Sequence, residues 1–361
     1  MKVHLIAGAR PNFVKLAPLA HTLRERDDID YEIVHTGQHY DDALSGSFFR
    51  VLDIPAPDID LGVGSASQPV QVARILEAIE PVFAERRPDA VVVFGDVNST
   101  MAAAFAAASL QIPSVHVEAG LRSFDRAMPE EINRVVADSL ASLLLASEPS
   151  GVANLEREGA SPDRVHLVGN IMIDSLKRLL PEAEDRRVHD ELGLEQGGYG
   201  FLTMHRPSNV DDPSTLAGLL DVLEELSATM PLVFPIHPRT RKNAESFGLS
   251  VDGRGQLLVV PPVDYVGSLS LQRHAAVVLT DSGGIQEEST CLGVPCLTLR
   301  DNTERPITVE QGTSTLVGND SGRIRSAFAE VVDGSYKKGQ EIELWDGQAA
   351  GRIADLLTSR L

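Results

Sequence analysis

The stretch PSVHVEAGLR, residues 113–122, contains the features that decide the fold. Its alternating branched residues predict a short buried strand, and the carboxylate of Glu118 stands where that strand ends. A glycine turn follows, and the sequence PEEINR at residues 129–134 then predicts a helix start, with acids where the helix dipole favours them. Buried charges are costly unless they pair or take part in chemistry. The stretch therefore indicates either a surface ion-pair network or a functional site.

The same alternation of apolar runs and helical patterns extends along the whole chain of 361 residues, a length that favours two domains. The predicted strands are 2–7, 31–36, 90–94, 114–117 and 143–146, then 201–203, 232–236, 257–260, 277–280 and 296–299. The predicted helices of the first half are 15–26, 70–86, 100–110 and 131–140. This rhythm predicts parallel sheets covered by helices on both faces.

The rhythm restarts after Val168-Gly169-Asn170. We therefore expect an N-terminal domain at 1–169, which carries the acids, and a C-terminal domain at 170–344. The amphipathic segment 345–361 is expected to return to the first domain. The polar stretch 181–198 is expected to form helix and loop on the outside.

Composition excludes several classes of partner. A formal net charge of -20 and a pI near 4.9 disfavour nucleic acid, which needs a basic surface. We expect no signal peptide and no membrane span, because the apolar runs are too short. Cys291 and Cys296 lack metal-ligand spacing and are interpreted as buried thiols in a reducing compartment, which predicts a cytoplasmic protein.

Charged, imidazole or glycine groups follow six predicted strands. They are Gly8-Ala9-Arg10 with Lys15, Gly95-Asp96, Glu118, His205-Arg206, His237-Pro238-Arg239 and Asp281-Ser282-Gly283-Gly284. Ligands of open α/β sheets bind at the carboxyl ends of the strands. The sequence therefore predicts a ligand cleft that collects three carboxylates, histidines and basic groups. His116, within its strand, is expected to be a satisfied core histidine.

The segment Ser282-Gly283-Gly284 indicates a phosphate site, because a glycine pair before a helix lets backbone N–H groups approach an anion. A tight turn without a ligand is the alternative. Glu287 or Glu288, beyond the first turn of that helix, is suited to ribose hydroxyls. Arg305 is suited to bidentate hydrogen bonds with a diphosphate, which Arg10 can reach from the other domain.

Other nucleotide and metal motifs are absent from the sequence. No Gly-x-Gly-x-x-Gly follows the first strand, there is no Gly-Lys-Ser/Thr loop, and there is no His-Glu-x-x-His or Cys/His cluster. We therefore expect no dinucleotide cofactor, no ATP hydrolysis and no metal.

Together these motifs resemble one family, the non-hydrolysing UDP-N-acetylglucosamine 2-epimerases. The matching segments run in family order from about residue 1 to about residue 318: Gly8-Ala9-Arg10-Pro11, Thr36-Gly37-Gln38-His39, Gly95-Asp96, residues 116–122, residues 129–134, Gly169-Asn170 with Asp174, His205-Arg206, His237-Pro238, residues 281–288 and Thr303-Glu304-Arg305-Pro306.

The resemblance implies a fold, an activity and a set of roles. The implied fold is GT-B-like, with two Rossmann-like doubly wound domains facing across a cleft. The implied activity is reversible C2 epimerisation of UDP-N-acetylglucosamine, without a cofactor, in a homodimer that serves cell-surface polysaccharide biosynthesis. The implied catalytic residues are Asp96, Glu118, Glu130 and His205. The nucleotide-binding residues it implies are Arg10, Ser282, Gly283, Glu288 and Arg305, with Lys15 as a basic group in the cleft. To these the strand-end pattern adds His237 and Gly284 as binding residues.

The chemistry agrees with this residue set. The C2 proton of an amino sugar has no neighbouring carbonyl, so direct abstraction is very hard. Loss of UDP from C1 together with the C2 proton gives a 1,2-unsaturated glycal, to which UDP adds back. That route needs a carboxylate on each face and cations on the departing diphosphate. The sequence does not assign an acid to a face.

Two departures from the family pattern leave alternatives open. Ser208 stands where many members have a glutamate, so a diacetamido-uronic or deoxy amino sugar is an alternative substrate. Tyr40-Asp41-Asp42 replace the glutamines that line a regulatory second site in some members, so we expect no such regulation. A hydrolysing epimerase, a GT-B glycosyltransferase and a non-catalytic nucleotide-sugar sensor are the other readings, although a sensor has no need of the three acids.

Overall fold

The computed structural model describes residues 1–37 and 49–361, without the side chain of Arg10. The chain divides into two compact units. Unit 1 comprises Met1–Ser175 and Glu343–Leu361, and unit 2 comprises Leu176–Ile342.

Unit 1 contains a sheet of seven strands in the order β3-β2-β1-β4-β5-β6-β7, and neighbouring strands in it are parallel. The strands are β1 Lys2–Ala7, β2 Asp30–His35, β3 Ile59–Asp60, β4 Ala90–Phe94, β5 Ser114–Ala119, β6 Leu143–Ala146 and β7 Val165–Leu167. The side chains of β4 are wholly buried, as expected for a central strand covered on both faces.

The helices that cover this sheet alternate with its strands. They are α1 Arg10–Arg24, α2 Gln68–Arg86, α3 Asn98–Ser109, α4 Pro129–Leu140, α5 Pro149–Arg157, α6 Ile171–Arg186, whose last part belongs to unit 2, and the C-terminal helix Ala349–Arg360. Alanines make α3 slim enough to pack closely between α2 and α4. Asp174 accepts hydrogen bonds from the first two N–H groups of the C-terminal helix, and burial raises the pKa of this carboxyl to about 6.

Unit 2 repeats the plan with six parallel strands in the order β10-β9-β8-β11-β12-β13. The strands are β8 Gly200–Thr203, β9 Leu232–Pro235, β10 Leu257–Val260, β11 Val277–Thr280, β12 Cys296–Thr298 and β13 Ser314–Leu316. The helices are α7 Val188–Glu191, α8 Pro207–Val210, α9 Pro213–Ser227, α10 Pro238–Ser246, α11 Tyr265–His274, α12 Gly283–Leu292, α13 Pro306–Glu310 and α14 Ser321–Val332; we number the C-terminal helix α15.

Both sheets have one position where the strand order reverses. It lies between β1 and β4 in unit 1 and between β8 and β11 in unit 2. Connections leave such a pair of strands in opposite directions, which opens a crevice at their carboxyl ends. The fold therefore marks one crevice in each unit as the place to look for a site.

The predicted fold class, with two Rossmann-like α/β sheets, is confirmed. The strands β3, β7 and β13 were not predicted, because two or three residues are too few to show a period. Two predictions about burial were wrong in part. His189, in the stretch expected outside, is wholly buried beside α11, and Cys291 is only partly buried, unlike Cys296.

Among the helices of residues 1–37 and 49–361, none is both long and apolar enough to cross a membrane.

Candidate active site

Lys15 and Glu118 form a buried ion pair at the crevice of unit 1. Glu118 has a left-handed backbone, with φ of 70°, at the irregularity between Val117 and Ala119 in the pairing of β5 with β6. A non-glycine residue held in that region stores strain and often marks a functional position. A Cβ at Gly95 would lie 2.7 Å from the Lys15 Nζ, so the glycine leaves space for the ammonium.

Asp96 follows β4 directly and forms an ion pair with Arg134 of α4. The Arg134 side chain is buried, whereas 22% of the Asp96 side chain is exposed. Asp96 lines a pocket of about 340 Å³, and the exposed Glu130 of the first turn of α4 lines the same pocket. Two of the three predicted acids thus share one pocket.

Glu131, the next residue, points elsewhere and does a different job. It is buried and accepts hydrogen bonds from the Ser123 and Phe124 N–H groups, at 2.8 and 3.2 Å, and from the Ser123 hydroxyl at 2.9 Å. The Pro-Glu-Glu motif therefore divides into an acid that faces the pocket and an acid that holds the loop after β5.

His116 lies beneath these acids and is wholly buried, as predicted for a satisfied core histidine. Its Nε2 is 2.7 Å from the Gly95 carbonyl oxygen and its Nδ1 is 2.7 Å from Asp138 Oδ1. Asp138 also pairs with Arg122 at 2.7 Å and accepts from the Gly120 N–H at 3.1 Å.

Burial acts to raise the pKa of Asp138, but the charges and hydrogen bonds of His116 and Arg122 outweigh it and hold this pKa below its usual range. The resulting network ties the end of β4 to the turn after β5. It therefore fixes the backbone on which Asp96 and Glu118 stand.

In unit 2, His205 follows β8 and is oriented by Asp281, which follows β11. His205 Nδ1 lies 3.0 Å from Asp281 Oδ1, while Oδ2 accepts from the N–H groups of His205 and Arg206, each at 2.8 Å. Burial acts to raise the pKa of Asp281, but its bonds to His205 and Arg206 dominate and lower it. With Nδ1 on the carboxylate and 41% of the side chain exposed, the ring can present Nε2 to a ligand.

Arg305 lies against the N-terminus of α12, where the phosphate site was predicted. A Cβ at Gly283 would meet the Arg305 Nη1 at 2.7 Å, so the guanidinium sits against bare backbone. Its Nε is 2.9 Å from Glu287 and its Nη1 is 3.4 Å from Glu304. Ser282 is the N-cap of α12 and Gly284 its second residue, so both predicted binding residues border the same turn.

Glu288 is buried within unit 2, one turn into α12, and accepts from the Gln272 Nε2 at 2.7 Å. Burial raises the pKa of this carboxyl to about 7. Glu287, the other candidate for the ribose, is bound to Arg305 instead.

His237, at the end of β9, is exposed, and its ring centroid is 5.5 Å from that of His205. Its Nδ1 accepts from the Arg239 N–H at 3.2 Å.

Arg10 is the first residue of α1, and its side chain lies outside what the structure describes. Gln38 and His39 of the family motif and the segment Tyr40-Asp41-Asp42 also lie outside the described residues. Within the described ranges, no group of three or more histidines, cysteines or acids could hold a metal ion.

Several residues that organise the site were not identified from the sequence as such. Asp138 and Arg134 lie one turn apart on α4; Asp138 contacts His116 and Arg134 pairs with Asp96. The orienting role of Asp281 and the pairing of Glu304 with Arg305 were also missed. No spacing rule links His116 to a partner 22 residues later. Only the adjacency of Glu304 and Arg305 offered a signal.

Comparisons with known proteins agree with this geometry. The family model described as UDP-N-acetylglucosamine 2-epimerase matches residues 21–358. The UDP-N-acetylglucosamine 2-epimerase of Methanocaldococcus jannaschii is 39% identical over 365 residues, which covers 99% of each chain. A crystal structure of a UDP-GlcNAc 2-epimerase from that organism, in complex with UDP-GlcNAc and UDP, matches with a TM-score of 0.91 at 39% identity and covers 99% of both chains. The UDP-2,3-diacetamido-2,3-dideoxy-D-glucuronate 2-epimerase of Pseudomonas aeruginosa is 37% identical over 367 residues, again 99% of each chain.

Proposed function

The chain belongs to the UDP-N-acetylglucosamine 2-epimerase family, and on that premise we propose that it interconverts UDP-N-acetylglucosamine and UDP-N-acetylmannosamine. The observation that carries this proposal is the placement of Asp96, Glu118 and Glu130 around the crevice of unit 1, two of them in one pocket. Epimerisation by elimination and re-addition needs proton transfer on both faces of C2, and these are the groups that can supply it.

In the first step of the proposed reaction, a carboxylate takes the C2 proton while the C1–O bond breaks. The bonding electrons of that C1–O bond leave with UDP, and the sugar becomes a 2-acetamidoglucal. In the second step a diphosphate oxygen attacks C1 and an acid protonates C2 on the opposite face. The proton count and the charge balance without an oxidant or a metal ion.

Glu118 and Glu130 lie in different environments. Glu118 forms a buried ion pair with Lys15, which places a carboxylate and an ammonium together at the crevice. Glu130 is exposed and lines the pocket together with Asp96. We assign proton transfer to Asp96, Glu118 and Glu130 together and leave their division between the two faces to experiment.

Unit 2 supplies the proposed UDP site. Backbone N–H groups of Gly283 and Gly284 open α12, where the helix dipole favours an anion, and Arg305 lies beside them. His205, held by Asp281, is suited to stabilise or protonate the departing diphosphate. We assign Ser282, Glu288 and His237 to nucleotide and substrate binding, together with Arg10 and Lys15 of unit 1.

The neutral sugar is favoured over a uronate by the lining of the pocket in unit 1. The carboxylates of Asp96 and Glu130 would repel the carboxylate of a uronate substrate. Among the described residues that line this pocket, none is a lysine or an arginine, and Arg134 nearby is already paired with Asp96. The diacetamido-uronate therefore stands second.

A proton NMR time course with UDP-N-acetylglucosamine tests the proposal. The expected result is the growth of anomeric and H2 signals of the manno epimer to a constant ratio, with no free sugar. The Asp96→Asn variant is the matched control and should give little conversion over the same time. Release of free N-acetylmannosamine would instead show a hydrolysing epimerase, and turnover of only the uronate would move the substrate assignment.

We further propose a homodimer, in line with exposed apolar side chains of unit 1, two on helices α3 and α4 and one in the loop after β5. Phe105, Phe124 and Ile132 are each more than two-fifths exposed. Light scattering after size exclusion should give twice the chain mass of 38.9 kDa, and Phe105→Asp with Ile132→Asp should reduce it. A monomer at micromolar concentration would contradict this part.

We also propose a cytoplasmic location and a role in supplying activated sugar for cell-surface polysaccharide. The free thiols of Cys291 and Cys296 support the location, and a UDP-sugar product supports the role. Deletion of the gene should therefore remove the N-acetylmannosamine-derived component from the cell surface, and an unchanged surface composition would contradict the role.

A further inference from the structure

Four side-chain amides line the pocket beside Asp96 and form one continuous chain of hydrogen bonds. Gln68 Nε2 donates to Asn133 Oδ1 at 3.3 Å, and Asn133 Nδ2 donates to Asn98 Oδ1 at 3.0 Å. Asn98 Nδ2 donates to Gln71 Oε1 at 2.7 Å, and Gln71 Nε2 donates to the Gly64 carbonyl at 2.8 Å. Asn133 Nδ2 also donates to the Asp96 carbonyl oxygen at 2.9 Å.

The direction of this chain is fixed by its two anchors. The carbonyl groups of Asp96 and Gly64 accept hydrogen bonds and cannot donate, so the nitrogens of Asn133 and Gln71 must face them. The oxygen of Gln71 then faces Asn98, whose own oxygen must face Asn133. No amide of the chain can be reversed without placing two oxygens or two nitrogens in contact.

Burial gives the chain its stiffness. Gln71 and Asn133 are 3% and 1% exposed, and an amide that loses a partner in such a place carries a desolvation cost. The links come from α2, α3 and α4, three helices that pack side by side. They converge on the peptide that carries Asp96, whose preceding carbonyl, that of Gly95, is held from the other side by His116.

We infer that Gln71 and Asn98 are positioning residues for Asp96 and act through Asn133. This inference rests on the proposed function, because it takes Asp96 to be a catalytic acid. Asn133 belongs to the motif at residues 129–134, beside Arg134, which pairs with Asp96. Gln71 and Asn98 lie in none of the motifs identified in the sequence. Their part in the reaction is to keep the Asp96 peptide, and with it the carboxylate, in one orientation.

The order of the links predicts a graded set of variants. Gln71→Leu removes both of the hydrogen bonds made by Gln71. Gln71→Glu keeps an acceptor for Asn98 Nδ2, and its carboxyl, when protonated, can donate to the Gly64 carbonyl in place of the amide, so it should restore part of what Gln71→Leu loses. A side chain that only fills space would not distinguish them in this order.

Steady-state kinetics are expected to show a fall in kcat of about 10- to 100-fold for Gln71→Leu, with little change in KM, since sub-ångström misplacement of a catalytic group costs rate more than binding. Gln71→Glu should lie between Gln71→Leu and wild type. Asn98→Ala should lose as much as Gln71→Leu, and the double variant no more than either, because the chain acts as a unit. Glu77→Gln, an acid–amide exchange on the exposed face of α2, is the matched control and should keep wild-type kinetics.

A second measurement does not depend on turnover. Amide hydrogen exchange of a peptide that spans Asp96 should be at least about tenfold faster in Gln71→Leu and Asn98→Ala than in wild type and Glu77→Gln, in the absence of substrate. If wild-type protein fails to epimerise, the proposed function falls while the exchange result still tests the support of Asp96. Wild-type kcat in Gln71→Leu, or exchange at Asp96 unchanged in both variants, would overturn the inference.

Discussion

The crevices of the two units have the same topology and opposite chemistry. In unit 1 the carboxylates Asp96 and Glu118 lie at the strand ends and form ion pairs with cationic side chains from helices. In unit 2 the cation Arg305 lies beside the first residues of α12 and forms ion pairs with Glu287 and Glu304. The comparison supports the proposal that one kind of sheet reversal serves proton transfer in unit 1 and anion binding in unit 2, according to the sign of the charge that each crevice presents.

The supports of the two crevices also differ. Unit 1 uses backbone strain at Glu118 and a network through His116 and Asp138, which fix direction. Unit 2 uses the space left by Gly283 to bring a guanidinium against the helix start. Direction matters for moving a proton, whereas close approach matters for holding a diphosphate. The two crevices should therefore fail differently when they are altered.

The largest expected effect comes from neutralising the acids of unit 1. Asp96→Asn, Glu118→Gln and Glu130→Gln should each slow epimerisation by about 10²–10⁴-fold, because a positioned acid or base contributes that much. Affinity for UDP, measured by calorimetry, should stay near the wild-type value, because these acids are proposed to face the sugar and most of the residues assigned to the diphosphate lie in unit 2. A thermal unfolding scan should accompany Glu118→Gln, which leaves Lys15 buried without its charge partner.

Wild-type rates in all three variants would remove unit 1 from the chemistry. Loss of UDP binding in step with loss of rate would erase the distinction between the two crevices.

The next effect concerns unit 2 and should appear in binding. Arg305→Ala should weaken UDP affinity by about 1.5–3 kcal/mol, the range for a hydrogen bond with a charged group. Gly283→Ala should also weaken it, because the new Cβ would meet the Arg305 Nη1 at 2.7 Å. Gly218→Ala is the matched control, since its Cβ would meet nothing within 4 Å. Unchanged calorimetric affinity in Arg305→Ala would end the assignment of this arginine to the diphosphate.

The smallest effect is on stability and follows from the raised pKa of Glu288. Below pH 4.5 this carboxyl is protonated in the folded and the unfolded chain, so the stability of unit 2 carries no penalty there. Between about pH 4.5 and 7 the unfolded carboxyl ionises while the folded one stays neutral, and stability falls as the pH rises.

Glu288→Gln should therefore stabilise the protein by about 1–3 kcal/mol at pH 8 and by almost nothing at pH 4. Urea unfolding at the two pH values measures this difference, with Glu77→Gln as the exposed control. Equal effects of Glu288→Gln at both pH values would show that ionisation of this group is not what limits stability. UDP affinity should fall in the same variant if Glu288 binds the ribose.

The sequence was enough to predict the sheets and the strand ends. Runs such as 90–94 and 277–280 are continuous and apolar, and the structure has strands at those residues. The residues after them are at crevices because parallel strands end at one edge of a sheet. Short edge strands such as β13 carried too few residues to be recognised.

The hydrogen bonds that support the site could not be predicted from the sequence, for a different reason. That His116 is satisfied could be predicted from its place in a strand, but its partner Asp138 comes from the far end of α4, a pairing set by helix packing. The amide chain joins three helices in the same way. Glutamines and asparagines scattered over three helices give no periodic pattern in the sequence, although their hydrogen bonds in the structure are specific.

We propose that C2 is inverted by elimination and return of UDP, with the acids of unit 1 moving the proton. The direct test is epimerisation of UDP-N-acetylglucosamine in heavy water, with C2 of the product observed by NMR and any 2-acetamidoglucal released on long incubation identified by mass spectrometry. We expect deuterium at C2 of the manno product and small amounts of the glucal with UDP, both formed far more slowly by Asp96→Asn. Epimerised product that retains its C2 hydrogen in full would contradict it.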